Sequence, residues 1–211
     1  MHIGSDERGR IARLFRFLAA GEECARDCAR AQAAIAPQPA LRRFLLAQAR
    51  QEAFHARLFG GGVALLAPRG VCRGPGLEAL ARFRREAEAA IAQGDFAASL
   101  LAIQVVLEGL GEATLTAVDA GMEQRRCGFR PIRALVLRQE RGHHAFGVSR
   151  LRQLVEDGTA SRALLAERGD RWLHMGEGIM AEMADYFAFF DEDPQAYAAG
   201  VRRALRRLTE Q

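Results

Sequence analysis

From Asp6 to Ile35, the residues Leu14, Leu18, Ala25 and Ala29 fall on a repeating three- and four-residue spacing. That is the period of an α-helix with one apolar face. Pro37 and Pro39 end the pattern. A second helix is predicted from about Ala40 to Leu58, with Leu41, Phe44 and Leu45 on its apolar side. Gln48 and Glu52 continue the same face, so it turns polar partway along. Gly60-Gly61-Gly62, then Pro68, Gly70, Gly74, Pro75 and Gly76, predict a long loop-like crossover with room for one short helical turn. Another helix is expected from about Leu77 to Gln93, broken at Gly94-Asp95. Asp95 is placed to cap the next, about Phe96 to Ala120, which Gly121 closes. Pro131 stands near the start of a helix running to about Glu156, ahead of Asp157-Gly158. A last helix is predicted from about Ser161 to Phe190, and Pro194 precedes a short basic tail. No strand-like alternation survives, so the class is all-α.

Short links within helix pairs and a long crossover between them are the connectivity of a ferritin-like four-helix bundle. The reading is therefore a single ferritin-like domain over residues 1–211. A metal-binding bundle spans about 6–156, and a C-terminal helical extension with additional helices spans about 161–211. Composition agrees: the 211 residues are 49% hydrophobic, rich in Ala, Leu and Arg and poor in β-branched residues, a mixture that favours helix. The net charge is +4 and all 30 basic residues are arginine, a balance that reads as a solvated surface when spread over many helices. Cys24, Cys28, Cys72 and Cys127 form no Cys-x-x-Cys pair, which argues against zinc-ribbon, rubredoxin-type and thioredoxin-like sites. Arg8, Arg10, Arg13 and Arg16 interrupt the first apolar residues, against a signal peptide. No run reaches the ~18 to 20 apolar residues of a membrane span. The expected compartment is the cytoplasm.

Two segments share a frame. Arg50-Gln51-Glu52 is followed by His55, and Arg138-Gln139-Glu140 by His143, in a chain with only 5 histidines. Residues three apart lie one turn along and about 60° around a helix, so each Glu/His pair can face one point. Each pair also has a candidate partner on the preceding helix. Glu22 lies 30 residues before Glu52 (52 − 22), and Glu108 lies 32 before Glu140 (140 − 108). In a helical hairpin, such separations place both glutamates near one height. Glu22 continues the Leu14, Leu18, Ala25, Ala29 stripe, while Glu23 falls on the face of Arg16, Arg26 and Arg30. Glu108 shares its face with Leu101, Gln104 and Leu115. Glu112, one turn on, is an extra ligand, a nearby acid or the polar end of that face. His144 points about 100° from His143 and reads as structural or exposed, and His174 has no glutamate three residues before it.

Four inward carboxylates would repel one another, and each costs several kcal/mol if left buried and unpaired. A pair of dications is the simplest compensation. Six oxygen and nitrogen ligands without sulfur suit iron or manganese, and two ions better than one. The candidate metal ligands are Glu22, Glu52, His55, Glu108, Glu140 and His143. A bundle that binds no metal is the alternative.

In this order, Glu22, Glu52-x-x-His55, Glu108 and Glu140-x-x-His143 resemble the ferritin-like di-iron carboxylate superfamily. Within it the likeness runs to the aldehyde-deformylating oxygenases. It is carried by Gly21-Glu22, by Ala92-Gln93-Gly94 leading into Leu100-Leu101 and Glu108, and by His143-x-x-Phe146-Gly147. It covers about Leu14 to Leu151 and departs at Glu112 and between Gly60 and Gly76. The resemblance implies two Fe ions, with Mn/Fe as a variant, and an oxygenase or oxidase that activates O2. It further implies a small or fatty apolar substrate such as an aldehyde, and an external electron donor, a reductase or ferredoxin.

Gly109, Gly111 and Gly142 beside the ligands either leave room for O2 or substrate or permit close helix packing. Phe54, Met175, Met180, Met183, Tyr186, Phe187, Phe189 and Phe190 either line an apolar channel or form core. Two other functions compete: ferritin- or rubrerythrin-like handling of iron or peroxide, and a tRNA-modifying di-iron hydroxylase using Arg84-Arg85, Arg125-Arg126 and Arg202 to Arg207. Nucleic acid is not the expected partner.

Overall fold

Two helical hairpins form the core of the structure, a computed structural model that describes residues 4–71, 74, 76–126, 128–187 and 195–209. Cys72, Pro75, Cys127, Phe189, Phe190 and Pro194, named above, lie outside the described residues. The first hairpin pairs α1 (Ser5–Ile35) with α2 (Pro39–Leu66). The second pairs α4 (Phe96–Gln124) with α5 (Arg130–Glu156). Between the hairpins, the chain crosses over through residues 67–76 and α3 (Leu77–Ala92), which packs on α1 and on the start of α4. The additional C-terminal helices follow: α6 (Arg162–Glu182), the single turn α7 (Ala184–Phe187) and α8 (Gln195–Thr209). No strand occurs among the described residues, and the architecture is the expected four-helix bundle with a crossover.

Local chemistry explains several boundaries. Asp95 Oδ1 accepts from the Ala98 N–H at 2.9 Å, capping α4 as its position in the sequence predicts. Ser161 Oγ accepts from Leu164 N–H to start α6. Gly76, with φ +82°, turns the chain into α3 in a conformation that disfavours a Cβ.

Three expectations need correction. First, α2 does not stop at Leu58 but runs through Gly60-Gly61-Gly62 to Leu66. A Cβ on Gly62 would lie 2.5 Å from the Phe15 ring of α1, and Phe15 packs on Phe59 at 5.7 Å. Here glycine serves helix-to-helix approach, and the packing offsets its helix penalty of about 0.5–1 kcal/mol. Second, α4 passes through Gly121, which is buried inside it, and ends at Gln124. Third, the last predicted helix ends earlier, at Glu182, with Met183 breaking it from α7. The basic tail is a helix, one of the additional helices expected in the C-terminal extension. Tyr197, Ala198, Val201, Leu205 and Leu208 of α8 are buried, while Arg202, Arg203, Arg206 and Arg207 face solvent.

α4 is also long and apolar enough, by length and composition alone, to cross a bilayer, which the residue run did not suggest. Of its most apolar 18-residue window, 67% is buried within the protein, as the central helix of a bundle must be.

Candidate metal centre

Leu101–Leu107, inside α4, is a π-helical stretch. The Glu108 N–H bonds back to Ile103 O, five residues earlier, so Glu108 leaves the α-helical phase on which its inward placement was argued. It is nonetheless 3% exposed, because the helix is buried on nearly every side from Leu100 to Val106. The Gln104 carbonyl in this stretch is 3.2 Å from His144 Nδ1, which donates to it. Gly147 of α5 lies directly against Gln104, where an added Cβ would stand 2.4 Å from the Gln104 Cβ. His144 is thus structural, supporting the π turn rather than the ligand cluster.

The structure gathers all six candidate ligands at the centre of the bundle, each buried. Their atoms make two overlapping groups, each with its potential ligand atoms within 4.8 Å of one another. Glu22, Glu52, His55 and Glu140 form one group; Glu52, Glu108, Glu140 and His143 form the other. Glu52 and Glu140 belong to both, the position of bridging carboxylates. Glu23 is exposed, as its phase predicted. Glu112 turns away and pairs with Arg141 at 3.3 Å. His174 is exposed on α6.

Both histidines aim Nδ1 at carboxylates. His55 Nδ1 lies 2.9 Å from Glu140 Oε1, 3.1 Å from Glu52 Oε2 and 3.3 Å from Glu22 Oε2. His143 Nδ1 lies 2.9 Å from Glu52 Oε1 and 3.6 Å from Glu108 Oε2. Close as they are to the other ligands, Glu140 Oε1 and His143 Nδ1 have no hydrogen-bond partner. Orphaned buried polar atoms are costly unless a proton or a cation satisfies them.

The electrostatics express the same tension. Burial raises the carboxyls of Glu22, Glu108 and Glu140 above their usual range, and neighbouring glutamates add to it. Burial opposes charge on the imidazoles too, but the Glu108 and Glu52 carboxylates outweigh it and push His143 up to about 11. Glu140, Glu22 and Glu52 raise His55 in the same way. Without metal, protons must stand where positive charge is needed. The donor set, four carboxylates and two imidazoles with two orphaned atoms at its centre, fits a pair of divalent cations.

The glutamines of the repeated frame had no assigned role and turn out to brace the opposite half. Gln139 Oε1 lies 2.8 Å from His55 Nε2, and Gln51 Oε1 lies 2.7 Å from His143 Nε2. Each amide oxygen accepts the Nε2 proton, which leaves Nδ1 as the inward atom. The signal was visible: Gln precedes Glu in both segments, while the equally repeated Arg50 and Arg138 are exposed. A further amide chain lies beneath. Gln48 Nε2 donates to Glu108 Oε1 at 2.8 Å and to Glu52 Oε1 at 3.2 Å. Gln104 donates to Gln48 and exchanges bonds with Gln32, which also reaches Ser99.

Next to the carboxylates is a cavity of about 60 Å³, reached by Glu22, Glu108 and Glu140 and walled by Phe17, Leu18, Leu80, Ile179 and Met180 among others. Gly111 lines it, with Glu140 Oε2 the nearest atom to an added Cβ, at 3.8 Å. Gly109 does not; its Cβ would lie 2.8 Å from Val201 and 2.9 Å from His144, so it serves helix packing. Gly142 is exposed with open space around it. Of the Met and aromatic residues considered for a channel, Met180 reaches the cavity. Met183 and Tyr186 are core residues, and Phe54 is 39% exposed.

No family model matches the chain, and no curated protein sequence matches it. Among solved structures it is similar to a Synechococcus protein described as having aldehyde deformylating oxidase activity, with a TM-score of 0.78 and 19% sequence identity, over 96% of this chain and 89% of that one. The likeness drawn from the ligand motifs is therefore met in three dimensions, and the chain has the ferritin-like fold of that oxidase.

Proposed function

We propose that the protein is a non-haem di-iron oxygenase or oxidase that activates O2 and acts on a small or apolar substrate such as an aldehyde. The observation that carries this reading is the pair of overlapping ligand groups sharing Glu52 and Glu140. Glu22 and His55 would complete one ion's protein ligands, and Glu108 and His143 the other's. Two iron ions held there would supply the reduction of O2, with electrons from a separate reductase or ferredoxin. The chain's own part is to fix both imidazole rings through Gln51 and Gln139 and to hold Glu52 and Glu108 through Gln48. It also keeps water away with Phe44, which stacks on Phe146 at 3.7 Å and meets the His143 ring edge-on.

The apolar cavity at Glu22, Glu108 and Glu140 favours turnover of an organic substrate over handling of iron or peroxide alone. Of the arginines considered for RNA, Arg84 and Arg202 are already engaged in ion pairs within the protein, while Arg203, Arg206 and Arg207 face solvent. Arg84 pairs with Asp27 and Glu88, and Arg202 with Glu177. We place the protein in the cytoplasm.

The test is anaerobic loading with ferrous iron, then O2. The reading expects about two irons per chain and O2 consumption with a transient absorption band. Folded protein that takes up no iron contradicts it.

A further inference from the structure

The cavity beside the carboxylates is unusually small for a site that would hold a fatty molecule. Pockets for drug-sized ligands run to about 300–1,000 Å³. A dry cavity of about 150 Å³ takes one benzene ring. On that scale, about 60 Å³ accommodates roughly two or three carbon atoms, and a sixteen-carbon chain would need roughly 400 Å³.

The walls have little freedom to retreat. Leu80 on α3 and Ile179 and Met180 on α6 close the cavity, each no more than 4% exposed. α6 is pressed against α4 through Gly176, where an added Cβ would lie 2.5 Å from Leu110 Cδ1 and 3.4 Å from Val106 Cγ1. Leu110 lines the same cavity. Moving α6 outward to admit a longer chain would break this contact and open a void in the core, which costs several kcal/mol for a residue-sized space. On the carboxylate side the room exists because Gly21 and Gly111 carry no side chain, with no atom within 4 Å of a Cβ built on Gly21. Space is thus provided next to the reacting centre and withheld beyond it. A crevice of about 170 Å³ between α3 and α6 is no alternative, since its Arg168 and Arg171 already pair with Asp95 and Glu86.

We propose that this is a short-chain site, accepting aldehydes of about two or three carbons and rejecting fatty ones, with Met180 and Leu80 setting the limit. This narrows the proposed function and rests on it for the aldehyde, while the size limit rests on the cavity alone.

The test is a chain-length series, propanal, butanal, octanal and dodecanal, read as the shift in melting temperature of anaerobic iron-loaded protein, because a ligand that binds the folded state raises it. The same series is run on metal-free protein. Propanal should raise the melting temperature most and butanal less, and octanal and dodecanal should leave it unchanged. Met180→Ala, which removes three side-chain heavy atoms, should lengthen the accepted chain by about two carbons. Leu80→Ala serves as the second variant if Met180→Ala does not fold. A wild-type protein stabilised most by dodecanal overturns the proposal, as does one stabilised by no aldehyde in either form. Failure of the di-iron reading shows separately, as absent iron uptake; the length profile of the metal-free protein then still decides the size limit.

Discussion

The first hairpin delivers Glu22, Glu52 and His55 from two uninterrupted α-helices, whereas the second delivers Glu108 from the end of a seven-residue π-helical stretch. The ligand types are the same on both sides, and each side lends a glutamine to the other's histidine. The backbones that carry them are not equivalent. In the first hairpin, helix contact alone fixes the height of Glu22 against Glu52, tightened where Gly62 admits Phe15. In the second, a wider turn is held open by His144 on the Gln104 carbonyl and by Gly147 on Gln104 itself. A π turn costs helix stability and persists where surrounding contacts enforce it, often at functional sites. The difference teaches that the site's two-fold character lies in its side chains and its asymmetry in the backbone, while the cavity is reached by a carboxylate from each hairpin, Glu22 and Glu108.

Substitutions can break this comparison. The largest effect is expected for the shared carboxylates: Glu52→Ala or Glu140→Ala should lower bound iron from about two per chain to below one, while Glu22→Ala and Glu108→Ala should each lose one ion first. Metal analysis of the loaded protein distinguishes these outcomes, and equal losses for all four would end the bridging assignment. Next come the cross-braces. Gln139→Leu should weaken the His55 ion and Gln51→Leu the His143 ion, each by about 10–100-fold in affinity. Competition with a chelator measures this, and unchanged affinity in both would remove their positioning role.

Much of the site could be read from the sequence because it depends on helical phase. Glu22 over Glu23, and the two Glu-x-x-His pairs, follow from which face of a regular helix is apolar. The π stretch could not be read: Leu101 to Leu107 is apolar throughout apart from Gln104, so no periodicity marks where the turn widens. Gly60-Gly61-Gly62 misled because glycine signals a break or a close approach equally well, and only Phe15, 47 positions earlier (62 − 15), decides between them. The helical tail was within the expected C-terminal extension, and Tyr197, Val201, Leu205 and Leu208 keep three- and four-residue steps.

Two smaller predictions sharpen the glycine reading. Gly109→Ala should destabilise the protein by about 1–3 kcal/mol through overpacking against Val201 and His144, with little direct effect on metal content. Gly142→Ala, exposed and unobstructed, should stabilise it by about 0.5–1 kcal/mol. Thermal or urea unfolding checks both, and a destabilised Gly142→Ala would mean that open space is not what that glycine provides.

The most direct measurement of the central claim is anomalous scattering at the iron edge from crystals of the iron-loaded protein. The account predicts two peaks, one among Glu22, Glu52, His55 and Glu140 and one among Glu52, Glu108, Glu140 and His143. Iron located elsewhere, or no iron in well-ordered crystals of loaded protein, would contradict it.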